Sequence, residues 1–372
     1  MDIKKILIVT HDFYPEQSPR SFRATELVKE FCRQGHQVTV IAPYRKGTES
    51  FAKEYGFSFI SLGVLNFSIF EFKHLGVLGH QLKKGMNVLF GILFEYPLIK
   101  ISFKVRRALK NLNGTSYDLL ISIAWPYPIH WGVALTWNKN SENNLANKWV
   151  ADCGDPYFGE ENRKLKKLFY WAWIEKWFMR KTHYITVPTS TSYLGYFSEF
   201  HNKIKIIPQG FKFEDYQFEN SYKQNTIPTF AYAGIFYIGK RDPSAFCEYL
   251  MQTGKDFRFH IYTKSKSCVD KFAKLAPKKF IIHDFIPREQ LLKTLNSNVD
   301  FVINIENFGV NQTPSKLIDY ALIDKPILSI KSFELDTKKI NEFLEFNYSN
   351  RLMMDVDQYR IENVTRKFLE LL

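Results

Sequence analysis

Cysteine is scarce in this chain: Cys32, Cys153, Cys247 and Cys268 are the four among 372 residues, and they stand far apart with no paired spacing. That pattern excludes a disulfide framework, gives no cysteine-based zinc site, and leaves the four as reduced structural residues. No GxGxxG follows any apolar run, so the dinucleotide fingerprint of an NAD dehydrogenase is missing. No nucleic-acid-binding module is recognisable, and no nucleic-acid partner is expected. Long hydrophobic runs are also absent. Ile6 to Val9 is too short for a signal peptide and lacks a small-residue cleavage pattern, which predicts a chain that stays in the cytoplasm. Met86 to Phe103 is the most apolar stretch, but Glu95 and Pro97 leave it too broken to span a bilayer. Neither an internal repeat nor a low-complexity tract occurs.

What is present suits two α/β domains, because 372 residues with 45% hydrophobic content exceed what one compact core holds. The net charge of +13 is one-sided. Residues 1–205 carry 28 basic against 17 acidic side chains, and residues 206–372 carry 23 against 21. A basic N-terminal half suits an anionic partner, nucleic acid or the anionic leaflet of a membrane, and charge alone does not choose between them.

Apolar runs at Lys5 to Thr10 and Gln37 to Ala42 flank an amphipathic stretch from Ser21 to Gln34 that Gly35 closes, the opening of a parallel sheet covered by helices. Further strands are expected at Tyr117 to Ile123, Lys148 to Asp152, Tyr184 to Val187 and Lys203 to Ile207. The aperiodic segment after Gly210 reads as a linker, giving domains at 1–208 and 229–372 joined by 209–228, with the last helix free to cross back. A second alternation follows. Strands are expected at Phe230 to Ala233, Phe257 to Tyr262, Phe280 to His283, Phe301 to Ile305 and Pro326 to Ile330, and helices at Pro243 to Met251, Glu289 to Leu295 and Ser315 to Ile323. Two doubly wound parallel sheets result, whose ligands bind beyond the carboxyl ends of the strands, with the cleft between the domains as the default site.

Two segments carry phosphate-type signals. Phe230 to Gly234 is an apolar strand ending in glycine, and Gly239, Lys240 and Arg241 follow before a helix. Glycine lets backbone amides approach a phosphate, and adjacent cations offset a diphosphate; a plain turn with solvated cations is the equal alternative. Phe308 to Tyr320 runs from an apolar strand into a helix opening at Pro314 and Ser315, where exposed amides and Lys316 suit an anion. Asp319, in the first turns, offers two oxygens to the vicinal hydroxyls of a ribose, or else complements the helix dipole.

The run FGVNQTPSKLIDYALIDKP, Phe308 to Pro326, resembles the "PSKLFEYLAAGKP" signature of glycosyltransferase family 4 and related GT-B enzymes. The resemblance extends over nearly the whole chain. Ile6 to Pro43 is similar to the family's opening strand, loop and helix, with Ser18, Pro19 and Arg20 where the family has glycines, so that Arg20 and Arg23 stand in as cationic contacts. IIPQGF (Ile206 to Phe211) resembles the "IPNG" entry to the hinge, and GIFYIGKRDP the phosphate-contacting turn. The implied fold is GT-B, two Rossmann-like domains facing across a cleft. Implied donor contacts are Arg20, Gly234, Gly239, Lys240, Arg241, Gly309, Val310, Asn311, Thr313, Pro314, Ser315, Lys316 and Asp319, with Asn311 and Asp319 at the positions of the family's acidic pair.

On the acceptor side, Ile121 to His130 and Trp149 to Pro156 resemble the family's proline-rich loop and its "WIADFRDPW" segment. Asp155 is the expected residue for acceptor activation or for stabilising charge at the anomeric carbon, beside Asp152, Trp125 and Tyr157, and Gly154 stands where the family often has histidine or arginine. Asp152 and Asp155 read alternatively as a metal pair or as ordinary capping residues, capping being the commoner case, and the resemblance implies no bound metal. His130 is a weaker catalytic candidate, as a lone histidine between Ile129 and Trp131 is more often packed. Lys240 and Arg241 count with Asp155 as catalytic through charge on the leaving diphosphate.

The resemblance implies transfer, with retention, from a UDP- or GDP-sugar to a lipid-linked or other glycan acceptor, with no metal or other cofactor. Two stretches bear on a membrane partner: Met86 to Phe103, flanked by Lys83, Lys84, Lys104, Arg106 and Arg107, and Lys164 to Lys181, with Trp171, Trp173 and Trp177. Both read as interfacial helices at the inner face of the plasma membrane, or as amphipathic helices packed on the sheet. A GT-B nucleotide-sugar epimerase and a non-catalytic GT-B partner protein are the rival readings, the second suggested by Asn311 and Gly154.

Overall fold

The computed structural model describes residues 2–65, 76–112, 114, 116–138, 143–159, 167–190, 192–216, 223–306 and 316–372, with the side chains of 76–84, 316 and 318 left out. It divides into two compact units, Met1–Phe211 with Gln358–Leu372, and Lys212–Asp357.

In the first unit the order is β1 (Lys5–Thr10), α1 (Pro19–Arg33), β2 (Gln37–Ala42), α2 (Thr48–Tyr55), β3 (Ser58–Ser61), α3 (Gly76–Phe94), α4 (Lys100–Lys110), β4 (Tyr117–Ile123), α5 (Pro128–Ala134), β5 (Ala146–Asp152), α6 (Tyr170–Lys181), β6 (Tyr184–Val187) and β7 (Ile204–Ile206). The seven strands are parallel in the order β3-β2-β1-β4-β5-β6-β7, so the winding reverses between β1 and β4. Ile6 to Val9 and Leu119 to Ile123 are buried on both faces, which is why these strands read as unbroken apolar runs rather than alternating ones. One face is covered by Leu27, Val28 and Phe31 of α1, the other by Ile101 and Val105 of α4, Trp131 of α5 and Phe178 of α6.

Helix α1 begins two residues before the Ser21 expected from its periodicity. Ser18 is the cap, its hydroxyl accepting the Ser21 amide, and Pro19 opens the first turn with a φ that suits a helix and an amide that needs no partner. Arg20 therefore belongs to the first turn of a helix rather than to a loop.

The second unit runs β8 (Thr229–Ala233), α7 (Ser244–Gln252), β9 (Arg258–Tyr262), α8 (Asp270–Leu275), β10 (Phe280–His283), α9 (Arg288–Asn298), β11 (Phe301–Ile305), α10 (Lys316–Leu322), β12 (Ile327–Ile330) and α11 (Thr337–Leu344). Its five parallel strands lie in the order β10-β9-β8-β11-β12, with the reversal between β8 and β11. Phenylalanines fill its core, Phe230 stacking on Phe301 and Phe259 at centroid distances of 4.6 and 4.9 Å. The last helix, α12 (Ile361–Leu369), returns to the first unit. Its apolar stripe of Ile361, Val364 and Phe368 packs with α1, and Gln34 donates to the Thr365 hydroxyl. The second unit thus ends at Asp357 and begins at Lys212, inside the segment read from sequence as linker.

Candidate functional site

At the carboxyl ends of β4 and β5, Arg20, Ala124, Trp125, Tyr127, Gly154, Asp155 and Pro156 line a cavity of about 170 Å³. Such a position, next to the reversal of winding, is where open α/β sheets take ligands. The cavity is smaller than a usual ligand cleft of about 300–1,000 Å³, and has room for one ring rather than a chain. Trp125 is part-exposed and the Asp155 side chain faces solvent.

Behind the cavity lies a charged cluster. Asp152, the last residue of β5, receives Arg23 through both oxygens, Nη2 to Oδ1 at 2.7 Å and Nε to Oδ2 at 3.1 Å, and the Thr186 hydroxyl donates to Oδ1 at 2.7 Å. Arg23 also donates to the carbonyls of Ile207 and Pro208, tying the end of the first sheet to the chain that leaves it. Burial opposes the charge of Asp152, but the Arg23 guanidinium, helped by Arg20 and Thr186, holds its pKa below the ordinary carboxylate value. Asp152 is thus a saturated core carboxylate, and Arg23 its partner; neither reaches the cavity, contrary to the acceptor-side and cationic-contact expectations.

Arg20 lies 3.9 Å from the same carboxylate and forms a cavity wall. A Cβ built on Gly154 would fall 1.2 Å from Arg20 Nη2. The missing side chain at 154 is therefore the space that the guanidinium occupies. A cation does stand beside Asp155, and it comes from the first turn of α1.

Two further expectations on this side are corrected. Tyr157 is fully buried, its hydroxyl donating to Glu95 at 2.9 Å and accepting from Lys167 at 2.8 Å, because the chain turns back into the core directly after Pro156. His130 is equally buried: Nδ1 shares a hydrogen bond with Ser122 at 2.8 Å, Nε2 lies 3.4 Å from Cys153 Sγ, and the ring stacks on Phe178. Burial pushes its pKa down to about 3, so it is a neutral packed imidazole and not a proton carrier to the cavity.

In the second unit β8 runs into Gly234, whose φ of +149° suits glycine. Gly239, at φ +76°, forms a tight turn in which the amides of Lys240 and Arg241 both donate to the Tyr237 carbonyl. Asp242 stabilises it, its carboxylate accepting the amides of Gly239 and Ser244. Lys240 is exposed, and Arg241 is half-buried near Tyr237 and Tyr232. Asp319, on α10, is held by Arg288: Nε at 2.8 Å and Nη2 at 2.6 Å both donate to Oδ1. Arg288 is itself fixed by the Tyr216 hydroxyl and lies over the Tyr216 ring. Burial raises the Asp319 pKa above the ordinary value, and Arg288 works against the rise. The Ala233 amide donates to the Tyr320 hydroxyl at 3.1 Å, so the end of β8 is tied directly to the helix that carries Asp319. Gly234 and Asp319 therefore belong to one local cluster. Sequence reading missed Arg288 and Tyr216, since nothing in their spacing links them to a helix far along the chain.

Gly309, Val310, Asn311, Thr313, Pro314 and Ser315 lie outside the described residues, as does the side chain of Lys316. Among the described residues no group of three or more His, Cys, Asp or Glu is arranged to hold a metal, and no helix is long and apolar enough to cross a membrane. The end of α3 and the start of α6 are joined by Trp171 Nε1 donating to the Ile92 carbonyl and the Tyr170 hydroxyl donating to that of Leu93. Around this join Leu89, Phe94, Phe169 and Trp173 are exposed, whereas Trp171 is core.

No protein-family model and no curated protein matches the chain. Solved structures do. A glycosyltransferase from Rickettsia africae ESF-5 is similar over 100% of this chain and 98% of its own, with a TM-score of 0.58 at 11% identity. TarM is similar over 100% and 99%, with 0.60 at 12%. Anabaena Alr3699/HepE, solved in complex with UDP-glucose, is similar over 99% and 98%, with 0.55 at 10%. At identities this low the likeness is one of fold, and together with the two parallel sheets it gives the chain the GT-B fold.

Proposed function

We propose that the chain is a glycosyltransferase that moves a sugar, with retention, from a UDP- or GDP-sugar to a glycan acceptor, most simply one linked to a membrane lipid. The observation that carries this reading is the cluster in the second unit: Asp319 held by Arg288 through one oxygen, on a helix tied by Tyr320 to the glycine end of β8. Among the described residues Asp319 Oδ2 is left to accept a ribose hydroxyl, and Gly234, whose amide is taken by the Tyr262 carbonyl, has no side chain to keep a diphosphate from the end of β8. Lys240 and Arg241 supply positive charge as the diphosphate leaves, where each cation counts most in the transition state. HepE's complex with UDP-glucose agrees in fold and ligand class.

In the first unit Asp155 and Arg20 face one small cavity with Trp125 as its apolar wall. There the acceptor ring stacks on the indole, Arg20 orients its hydroxyls, and Asp155 takes up the proton or balances charge at the anomeric carbon. The exposed aromatic join of α3 and α6, on the basic unit, supports docking at an anionic membrane on the cytoplasmic side.

Thermal-shift measurements with UDP, GDP and their sugar conjugates test the donor assignment, because a ligand that binds only the folded state raises Tm. A shift with one nucleotide that is abolished in Asp319→Ala supports it; no shift with any nucleotide sinks it and favours a non-catalytic partner. Conversion of the nucleotide-sugar to an isomer without added acceptor would reassign the chain as an epimerase.

A further inference from the structure

The loop that leaves β5 carries Asp155 to the cavity and then dives into the core, where side chains from three places grip its backbone. Tyr127 donates its hydroxyl to the Asp155 carbonyl at 2.8 Å, and Tyr196 donates to the Gly154 carbonyl at 3.1 Å. Glu175 of α6 grips the other polarity: Oε1 accepts the Tyr157 amide and Oε2 the Phe158 amide, each at 3.1 Å. This carboxylate is buried, and Lys167, the cation whose field reaches it, is engaged by Glu95 and the Tyr157 hydroxyl. A buried charge whose direct partners among the described residues are two consecutive amides of one loop is costly for a packing role that glutamine or leucine would fill.

We propose that Glu175 is the positioning residue of the Asp155 loop, touching no substrate and setting, through the amides of Tyr157 and Phe158, where Asp155 stands in the cavity. The proposal rests on the reading of Asp155 as the acceptor-facing carboxylate. It works because a carboxylate accepts with both oxygens, whereas a carboxylic acid turns one oxygen into a donor. That donor would face an N–H, and one of the two amides would lose its partner.

The switch falls within working pH. Burial pushes the Glu175 pKa up to about 7, against the pull of the two amides and Lys167. The groups that face it from the neighbouring elements do not compete. Burial raises Tyr127, Tyr196 and Cys153 and keeps them protonated, and it lowers His130 to about 3 and keeps it neutral. Lys167 and Glu95 are paired with each other, and Arg20 lies against Asp152.

The test follows the amide resonances of Tyr157 and Phe158 in the full chain from about pH 5 to about pH 9, together with the pH profile of sugar transfer. Both amides should titrate together with a midpoint near 7, and Glu175→Gln should abolish that titration. The kcat of the wild type should fall on the acid side with the same midpoint while the donor KM stays level. Glu175→Gln should show a kcat about 10²-fold lower with that limb gone, and Glu175→Asp an intermediate value. Amides that ignore pH, or an acid limb that survives in Glu175→Gln, overturn the proposal. Should Glu175→Gln fail to fold, the wild-type amide titration decides alone. Amides that titrate in a protein that transfers no sugar at any pH sink the proposed function and leave the clamp standing.

Discussion

Each unit holds an arginine–aspartate pair beside or within its proposed site, and the two pairs differ in what the arginine leaves over. Arg23 covers both oxygens of Asp152, which Thr186 shares, inside a core that excludes water. Arg288 puts both of its bonds to Asp319 on Oδ1, at a part-exposed position. A saturated carboxylate is architecture, and one loaded on a single oxygen is a carboxylate oriented for something else. The comparison separates residues that the same letters in a sequence do not.

The largest effect expected from it is on stability. Asp152→Ala strands the Arg23 guanidinium in the core and should cost about 3–5 kcal/mol, read by urea unfolding of the full chain. The loss should fall on the transition of the first unit, since the second has its own core. A cost under about 1 kcal/mol would break the comparison at its stronger end.

Asp319→Ala should do the reverse. Its pair is part-exposed, so stability should change by less than about 1 kcal/mol. Removing a charged acceptor from a bound ribose should weaken the nucleotide that the protein selects about 10- to 100-fold, measured by calorimetry. Unchanged affinity would make Asp319 as structural as Asp152.

Gly154→Ala sharpens the contrast on the acceptor side. The added methyl collides with the end of a flexible side chain, so the guanidinium swings away at little cost in stability. What is lost is the cation beside Asp155. The variant should reproduce the fall in kcat/KM for acceptor seen in Arg20→Ala, roughly tenfold, and the double variant should be no worse than either single one. Additive losses would show that Arg20 does not work from its place over Gly154.

How much of this was legible in the sequence depends on range. The strands were plain, because parallel strands buried on both faces leave unbroken runs such as Ile6 to Val9. Cap chemistry placed α1 only once Ser18 was seen to hold the Ser21 amide. Asp155 and Arg20 share the cavity as neighbours of a motif, yet Tyr157 and His130 of the same motifs turned inward. Nothing local says which side of a loop enters the core. Arg288 and Glu175 were illegible for a different reason: each acts on a segment that the fold alone brings near, and a lone arginine or glutamate on a helix reads as a solvated face.

The smallest effect carries a sign that differs between the two aspartates. The Asp152 pKa is depressed in the folded chain, so its contribution to stability is full above the unfolded value of 3.8 and is lost as pH falls through the folded one. The Asp319 pKa is raised, so its contribution is full below 3.8 and is lost as pH rises through the folded value. Replacing each by asparagine removes the titration. As pH climbs through the acid range, the wild type should therefore gain on Asp152→Asn and lose ground to Asp319→Asn, in melting temperatures of the respective units. The same sign in both would mean that Arg288 holds Asp319 as tightly as Arg23 holds Asp152, and that its second oxygen is not spare.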